Sequence, residues 1–597
     1  MSWATFLKTP VFGSIFMLVG LAFNFQVPDL GETYVSRNIS AWAVICLSLI
    51  ILWWQPFKQG TIKWSPLWLA GLFLPVVGGL FVLVLNLLGN FEHMHMGHYF
   101  LPLMLLAFGL FVLGLLQHSD DMPDLSVVII AISIAFLSQY GIYLTLENPL
   151  VGHISPFSEI KISPVFTKSS AGFGQYNLLG SFSATLLALA AAAFVLCPMR
   201  PLRRLMLALI MIFFTLDLPF VQSKTSLLGV MLSLLALGLH VFFSGAGRQV
   251  MHRYGHMLAI VLVTYFGVVW ISEFVGNSDQ LAPRTYEANQ SSFSTRYTMW
   301  VIGFWGFLEK PLFGHGLGSY LSLYIDHFGR YGLAEGLNFH KLVSIPHNLF
   351  IHILSETGLF GLIVILGPLI WLGIRLFWQS DNRWLVLALL MPILLHSQFE
   401  YPYIASGAHY WLFGLALVLG LIGDGAETLS LRRIILPNRK AARLAISGLA
   451  AYAVAGVVIA TILSNEVRRV TLDFARSSVM PLSQYIENRA SAPDLNHPLF
   501  GERLRAMTNL LAIEKIFAAQ QWDLLRPVAL PYFEAHVLKQ YPTPPVWEMA
   551  ITVYGILEED EKLLAMIDYI ALYTPDRAAE LRAQYGVYLS QKANRLQ

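Results

Sequence analysis

The stretch SIPHNLFIHILSETGLFGL, which begins at Ser344, places a histidine and an asparagine where a strongly apolar helix starts. His352 and Glu356 follow four residues apart and share one face of that helix. Burying ionisable groups in a membrane costs free energy, so such groups usually serve a function. His347 and Asn348 are predicted at the helix N-terminus, where unpaired N–H groups and the helix dipole favour an anionic ligand. The alternative is an asparagine cap, a packed histidine and a structural His–Glu pair.

The preceding segment, SFSTRYTMWVIGFWGFLEKPLFGHGLGSY, carries a second group of candidate residues. Arg296 and Trp300 are four residues apart on a predicted amphipathic, aromatic-rich helix at the outside interface of the membrane. Arginine holds phosphate well by paired hydrogen bonds, although it also snorkels at interfaces without further function. The glycines of residues 314–318, GHGLG, permit a tight turn and a close approach of the backbone.

The composition requires a membrane protein around these residues. The chain has 597 residues, of which 56% are hydrophobic and only 12% are charged, whereas soluble domains carry about 25% charged residues. Cys46 and Cys197 fall in or beside apolar segments, so neither a disulfide framework nor a cysteine metal site is expected. The net charge of +2 argues neither for nor against nucleic acid, but no basic stripe interleaved with aromatics stands out, so nucleic acid is not an expected partner.

Runs of apolar residues predict about 13 transmembrane helices, since a helix needs about 20 such residues to cross a bilayer. The first is interpreted as a membrane helix rather than a removed signal peptide. The runs lie near residues 11–27, 40–54, 66–88, 98–116, 125–146, 176–196, 203–220, 225–244, 257–275, 347–370, 384–398, 409–423 and 443–464.

Lysine and arginine in the loops predict the orientation. With a cytoplasmic N-terminus, alternation puts the basic residues in the inside loops, and the short outside loops are poorer in them. These inside residues are Lys58, Lys63, Arg200, Arg203, Arg204, Arg248, Arg253, Arg375, Arg383, Arg432, Arg433, Arg439, Lys440 and Arg443.

Two domains follow from this topology. Residues 1–464 form the transmembrane domain, whose large outside loop, 276–346, carries candidate catalytic elements. Residues 465–597 form an outside domain with charges, prolines and amphipathic helical periods, which suggests a small helical-repeat (TPR-like) module. The predicted fold is therefore an all-α polytopic membrane protein with a C-terminal helical domain.

The ordered motifs R-x-x-x-W, P-L-F-G-x-G-x-G and H-N-L-F-I-H-I-L-S-E-x-G-x-x-G resemble the Wzy/O-antigen ligase superfamily. Its members are bacterial membrane glycosyltransferases with a GT-C-like fold that use undecaprenyl-diphosphate-linked glycans. The resemblance covers about residues 170–425. Within it, AGFGQYNLLGSF at 171–182 and HSQFEYPYIASGAHYW at 396–411 look like the PglL-type protein O-oligosaccharyltransferases, as does the long C-terminal region.

The resemblance implies transfer of a whole glycan from the lipid carrier to serine or threonine hydroxyls of periplasmic proteins such as pilin. Arg296 would bind the diphosphate, and His347 would act as general base or orient the substrates. These two are the predicted catalytic residues. The predicted substrate-binding residues are Gln175, Asn177, Asn348, Glu400 and Tyr403. The predicted supporting residues are Glu356, His352 and Trp300.

Purely structural alternatives exist for two of these stretches. Gln175 and Asn177 could simply cap a helix, and Glu400, Tyr401 and Tyr403 could belong to an interface belt. The resemblance instead favours one outside-facing cleft, formed by the loops at 147–176, 276–347 and 397–409.

No metal or other cofactor is expected in this chemistry. The histidine cluster HMHMGH, residues 93–98, lacks ordered carboxylates and is interpreted as incidental. The expected location is the bacterial inner membrane, with the active site and C-terminus in the periplasm. The expected partners are the lipid-linked oligosaccharide, an acceptor protein and membrane lipids.

Other functions remain open from the sequence. An O-antigen ligase would attach the glycan to lipid A-core, and a Wzy-type polymerase would attach it to another lipid-linked glycan. A lipid-linked glycan transporter would instead need charged groups along a path through the membrane. In a binding or assembly protein, the C-terminal region would be the active part.

Overall fold

The computed structural model describes most of the chain, and the described residues are almost entirely helical. The described residues are 35–89, 101–118, 125–147, 176–221, 223–274, 286–332, 337, 345–400, 402, 406–421, 431–435, 440, 444–459, 462, 484, 501–538 and 544–596.

Long helices follow one another along the first three quarters of the chain. They are α1 (Val35–Gln59), α2 (Pro66–Gly89), α3 (Leu101–Gln117), α4 (Leu125–Glu147), α5 (Tyr176–Leu196), α6 (Pro201–Val221), α7 (Lys224–Phe243), α8 (Arg248–Phe274), α9 (Tyr286–Glu309), α10 (Tyr320–His327), α11 (Leu349–Gly361), α12 (Gly367–Gln379), α13 (Arg383–His396), α14 (Gly407–Gly420) and α15 (Leu444–Ile459).

Five of the described helical segments are long and apolar enough to cross a membrane, which supports a multi-pass membrane protein. These segments are Pro66–Leu88, Asn177–Leu196, Lys224–Phe243, Arg248–Ile271 and Leu349–Gln379. Twelve of the predicted apolar runs coincide with helices, and the run at 11–27 lies outside the described residues. The total of about 13 transmembrane helices stays a prediction.

Helix α5 is the centre of the helical bundle. Its apolar span is wholly buried and rich in alanine, so α6, α7 and α13 pack closely around it. At one contact, Gly229 of α7 lies against Pro392 of α13, where a Cβ atom would come within 2.9 Å of the proline backbone. This packing fixes the ends of α5 and α13, which carry Asn177 and lead to Glu400.

One short antiparallel ribbon joins two distant loops. Strand β1 (Thr61–Trp64) pairs with β2 (Arg432–Ile435), with Lys63 opposite Arg433. The side chain of Gln117, at the end of α3, accepts from the Lys63 N–H at 2.7 Å and donates to its carbonyl at 2.8 Å. The ribbon therefore ties the chain that follows α14 back to the first helices.

The Gly-rich turn at 314–318 lies against the middle of α11. The N–H groups of His315 and Gly316 donate to the carbonyl oxygens of Ser355 and Glu356, at 3.0 and 2.8 Å. All three glycines of the turn have positive φ, as the sequence pattern predicts. The turn and α11 thus form one backbone-bonded unit.

Helix α11 breaks at Gly358, whose φ is +65°. The interrupted hydrogen bonds are replaced by the preceding loop, since Leu359 donates to the Pro311 carbonyl at 2.9 Å and Phe360 to the Leu312 carbonyl at 3.0 Å. A π-helical turn, Leu362–Leu366, then leads into α12. Because of the break, the segment that follows α9 packs directly against the backbone of α11.

We expect Gly358→Ala to destabilise the protein by more than about 2 kcal/mol, because left-handed φ and overpacking both penalise a side chain. Its Cβ would meet the Leu312 carbonyl oxygen and has no flexible neighbour to displace. The check is the apparent melting temperature in detergent. Gly373→Ala is the matched control, because a Cβ there meets nothing within 4 Å. Equal melting temperatures for the two variants would contradict this account.

The C-terminal region consists of α16 (Gly501–Ala519), an irregular helical stretch through Val537, α17 (Pro544–Ile556), α18 (Asp560–Ala571) and α19 (Pro575–Leu596). Consecutive helices α17, α18 and α19 pack against one another. Their helical character agrees with the sequence analysis, and the TPR-like classification stays a prediction.

Candidate active site

A single buried carboxylate joins three distant parts of the chain. Oε1 of Glu400 accepts hydrogen bonds from Asn177 Nδ2 at 2.8 Å and from the Arg296 guanidinium at 2.5 Å. Oε2 of Glu400 lies 2.7 Å from His347 Nδ1. The Glu400 side chain is only 4% exposed, whereas those of Arg296 and His347 are 24% and 20% exposed. Four residues that the sequence analysis selected therefore form one cluster.

Four elements hold these side chains. Asn177 lies in the first turn of α5, Arg296 lies on α9, and His347 immediately precedes the N-cap of α11. Glu400 ends a tight turn after α13, in which its N–H donates to the His396 carbonyl at 2.8 Å. Asn177, His347 and Glu400 lie at or beside the ends of α5, α11 and α13, and Arg296 reaches them from the middle of α9.

The charges around Glu400 keep its carboxyl group ionised. Burial alone would raise its pKa, but the hydrogen bond and charge of His347 and the charge of Arg296 outweigh burial and lower the pKa to about 2. The site therefore holds a fixed negative charge between an arginine and an imidazole.

This lowered pKa predicts a specific pH dependence. Because the folded-state pKa lies below the ordinary 4.5, stabilisation by ionised Glu400 is complete above that pH and is lost as the pH falls through about 2. The shift corresponds to about 3 kcal/mol. The apparent melting temperature of wild type should exceed that of Glu400→Gln at pH values above about 4.5. The margin should shrink below about 4.5, and a margin that already closes near neutral pH would show that the carboxyl binds a proton there.

His347 has an unusual backbone conformation. Its φ is +52°, in the left-handed region that costs free energy for residues other than glycine. Such strain is concentrated at functional sites, where the surrounding structure enforces it. Here the buried Pro346 precedes the residue, and the contact with Glu400 holds the imidazole. With the proton on Nδ1 directed at the carboxylate, the basic lone pair is on Nε2.

Asn348 caps α11 and also bridges to the Glu400 turn. Its Oδ1 accepts from the Ile351 N–H at 3.0 Å, and its Nδ2 donates to the Gln398 carbonyl at 3.0 Å. The Leu349 N–H donates to the neighbouring Ser397 carbonyl at 3.0 Å. These bonds fix the distance between His347 and Glu400. Contact of Asn348 with substrate stays a prediction.

Glu356 of α11 binds the backbone between the Gly-rich turn and α10. Its carboxylate accepts from the Gly318 and Tyr320 N–H groups, at 3.0 and 3.2 Å, and so caps the N-terminus of α10. His352 Nε2 lies 3.2 Å from the same carboxylate, which is the His352–Glu356 contact that the sequence predicts. Both side chains are buried, and their supporting role stays a prediction.

Trp300 packs beside the cluster, one turn along α9 from Arg296. Its ring lies 6.0 Å from that of Phe399, centroid to centroid. The contact joins α9 to the turn that carries Glu400. It therefore helps to keep Arg296 and Glu400 close to each other.

Two buried histidines near Glu400 were missed by the sequence analysis. The rings of His396 and His409 are nearly parallel, with centroids 6.4 Å apart. His409 lies 2.8 Å from both Ser181 Oγ and Ser406 Oγ, whereas His396 has no hydrogen-bond partner among the described residues. The general rule that ionisable groups in membrane helices deserve attention could have selected both.

Asn86 of α2 was also missed. Its Oδ1 accepts from the Leu317 N–H at 2.7 Å and so anchors the Gly-rich turn from a third helix. An asparagine in an apolar helix is its only sequence signal.

Gln175, Tyr403 and the histidine cluster 93–98 lie outside the described residues, so their predicted roles stay predictions. Within the described part of the chain, no three histidine, cysteine or carboxylate side chains are grouped to hold a metal ion.

Comparison with known families identifies part of this architecture. Residues 207–366 match the family model described as O-Antigen ligase (Wzy_C), and this region contains Arg296, the Gly-rich turn and His347. A search of curated proteins gives no match to the chain. The match supports a relationship of this region to the Wzy/O-antigen ligase superfamily and, at a coarse level, a glycan-transferring function at a membrane.

Proposed function

We propose that this protein transfers a glycan from an undecaprenyl-diphosphate carrier to a serine or threonine hydroxyl of an acceptor protein. The observation that carries the proposal is the Glu400 carboxylate, which brings Arg296 and His347 together. This pairing supports the proposal, in which Arg296 is the cation for the leaving diphosphate and His347 is the base for the acceptor hydroxyl.

The reaction is a displacement at the first carbon of the glycan. The acceptor oxygen forms a bond to that carbon while His347 Nε2 takes the hydroxyl proton. The bond between the carbon and the diphosphate oxygen breaks, and its electron pair leaves with the lipid diphosphate. Arg296 stabilises the negative charge that grows on this leaving group. Atoms and charge balance without a further reactant.

Glu400 acts in this scheme as an orienting residue rather than a substrate contact. Its hydrogen bond to Nδ1 fixes the tautomer of His347 and stabilises the imidazolium after proton transfer, as a carboxylate does beside a catalytic histidine in other enzymes. Its contact with Arg296 aims the guanidinium from the buried side. Asn177 donates to the same oxygen and helps hold the carboxylate in place.

A protein acceptor is supported by the GQYN and EYPY stretches and by the long C-terminal region. Lipid A-core and a second lipid-linked glycan are the alternative acceptors, because the same cluster could transfer to either. A transporter is disfavoured, since Asn177, Arg296, His347 and Glu400 gather in one cluster instead of following a path through the membrane.

The deciding experiment is the mass of the acceptor. The chain is expressed with a lipid-linked glycan pathway and a candidate pilin in a Gram-negative host that lacks its own glycosylation. Wild type is compared with His347→Asn at matched membrane levels, and lipopolysaccharide from the same cells is blotted. A glycan-sized mass increase on pilin that the variant loses is expected. Decoration of lipid A-core alone would identify a ligase, and longer glycan chains on the carrier would identify a polymerase.

A further inference from the structure

The C-terminal helices share one hydrophobic core with α9, which carries Arg296, and with α10. Met299 and Ile302 of α9 and Tyr324 of α10 are buried in this core. Trp547 of α17 and Ile567 of α18 are buried in the same core. The C-terminal region and the α9–α10 segment are thus one packing unit, although about 240 residues separate them in sequence.

Helix α9 contacts both the Glu400 turn and the shared core. Arg296 reaches Glu400 and Trp300 packs on Phe399. Within three residues of these side chains, Met299 is 4% exposed and Ile302 is fully buried in the shared core. The position of α9 therefore depends on both contacts.

Tyr573, which follows α18, makes the most specific contact across the shared core. Its hydroxyl donates to the Ile325 carbonyl at 3.0 Å, and its ring stacks on Phe328 with centroids 5.9 Å apart and planes at 15°. Gly329 leaves room for this contact, because a Cβ there would lie 2.8 Å from the Tyr573 hydroxyl oxygen. The tyrosine thereby contacts both the end of α10 and the π-helical turn after it, Phe328–Gly332.

The α10 segment transmits this contact to α9. The hydroxyl of Tyr320 in α10 donates to the Met299 carbonyl of α9 at 2.7 Å. Gly306 of α9 lies directly against Leu323 of α10. A displacement of α10 therefore moves the helix on which Arg296 lies.

We infer that the C-terminal helices position Arg296, with Tyr573 as a positioning residue, and are not a separately attached acceptor-docking module. The functional part of this inference rests on the proposed transfer reaction. Loss of the Tyr573 contact should loosen α9, misplace the guanidinium and weaken use of the donor whatever acceptor is offered.

The test compares Tyr573→Ala, Tyr573→Phe and Gly329→Ala in the full-length protein. Gly329→Ala disrupts the same contact by adding a Cβ atom next to the Tyr573 hydroxyl group, and it leaves the C-terminal sequence unchanged. Val587→Ala is the control, because this C-terminal side chain is 56% exposed and outside the shared core. Two readouts are taken, namely hydrogen–deuterium exchange of residues 294–305 and kinetics with varied donor concentration.

Exchange at 294–305 should rise at least about tenfold in Tyr573→Ala and Gly329→Ala, because the opening of α9 becomes easier. In kinetics, donor kcat/KM should fall at least about tenfold, and equally with whole pilin and with a short acceptor peptide. Tyr573→Phe should recover most of both effects because the ring stack remains. Exchange within α18 in the same samples shows that the C-terminal helices stay folded.

Unchanged exchange at 294–305 in both variants would overturn the inference. So would a loss confined to whole pilin, since that pattern belongs to a docking module. If wild type transfers glycan to neither acceptor, the proposed function fails, and the exchange comparison still decides whether the C-terminal helices hold α9.

Discussion

Replacing His347 by asparagine should lower the turnover number for glycan transfer by about 100- to 10,000-fold, the usual contribution of a general base. Asparagine tolerates the left-handed backbone that this position requires, so the variant should keep its fold. The KM for the donor should change little because Arg296 and its contact with Glu400 remain. The measurement is steady-state transfer to an acceptor peptide by purified protein in detergent.

A second substitution, His347→Gly, separates proton transfer from positioning. Glycine also accepts positive φ and leaves a space the size of the imidazole. Added imidazole should restore part of the lost turnover if the ring removes the acceptor proton. His252→Ala is the matched control, because His252 is exposed at the start of α8 and outside the cluster. Turnover of His347→Asn within about threefold of wild type would show that the histidine is structural.

The helices could be predicted from the sequence because each of them is a local property. An apolar run of sufficient length forms a helix whatever surrounds it, and the runs near 176–196 and 225–244 match α5 and α7 almost residue for residue. The break at Gly358 was not predicted. It depends on hydrogen bonds from the Pro311–Leu312 backbone, which no periodicity in α11 reveals.

The site residues could be selected by type, but their arrangement could not. His347 and Arg296 stand out as ionisable groups beside apolar helices, whereas the role of Glu400 depends on partners that are 53, 104 and 223 residues away. The sequence likewise placed Asn348 at a helix start without showing that both of its polar atoms bond to the protein. The shared core of the C-terminal helices with α9 was missed because an amphipathic face does not identify what covers it.

Glu400→Gln should be the second most damaging substitution, with transfer activity reduced by about 100- to 10,000-fold, as expected when the carboxylate behind a catalytic histidine becomes neutral. Glutamine has the same shape, but its amide nitrogen is a donor facing other donors. The change removes the charge partner of a half-buried arginine and the acceptor that fixes the imidazole tautomer. Both catalytic groups are therefore disturbed by one atom replacement.

The same change should destabilise the protein by about 3 kcal/mol, because breaking a buried ion pair leaves an uncompensated charge. Glu548→Gln is the matched control. Glu548 also pairs with an arginine, Arg577, but that pair is about 40% exposed on both sides and contributes roughly 0–1 kcal/mol. The control should therefore leave the melting temperature and activity close to wild type.

A double-mutant cycle shows whether Glu400 and Arg296 act as a unit. Arg296→Gln alone should abolish most activity, and Arg296→Gln combined with Glu400→Gln should lose no more than the worse single variant, since each removes the same contact. The double variant should also regain part of the stability lost by Glu400→Gln, because no unpaired charge remains buried. Fully additive losses in activity and stability would mean that the two side chains work independently. Glu400 would then act through His347 alone or contact the substrate, which is the role that the family resemblance first implied.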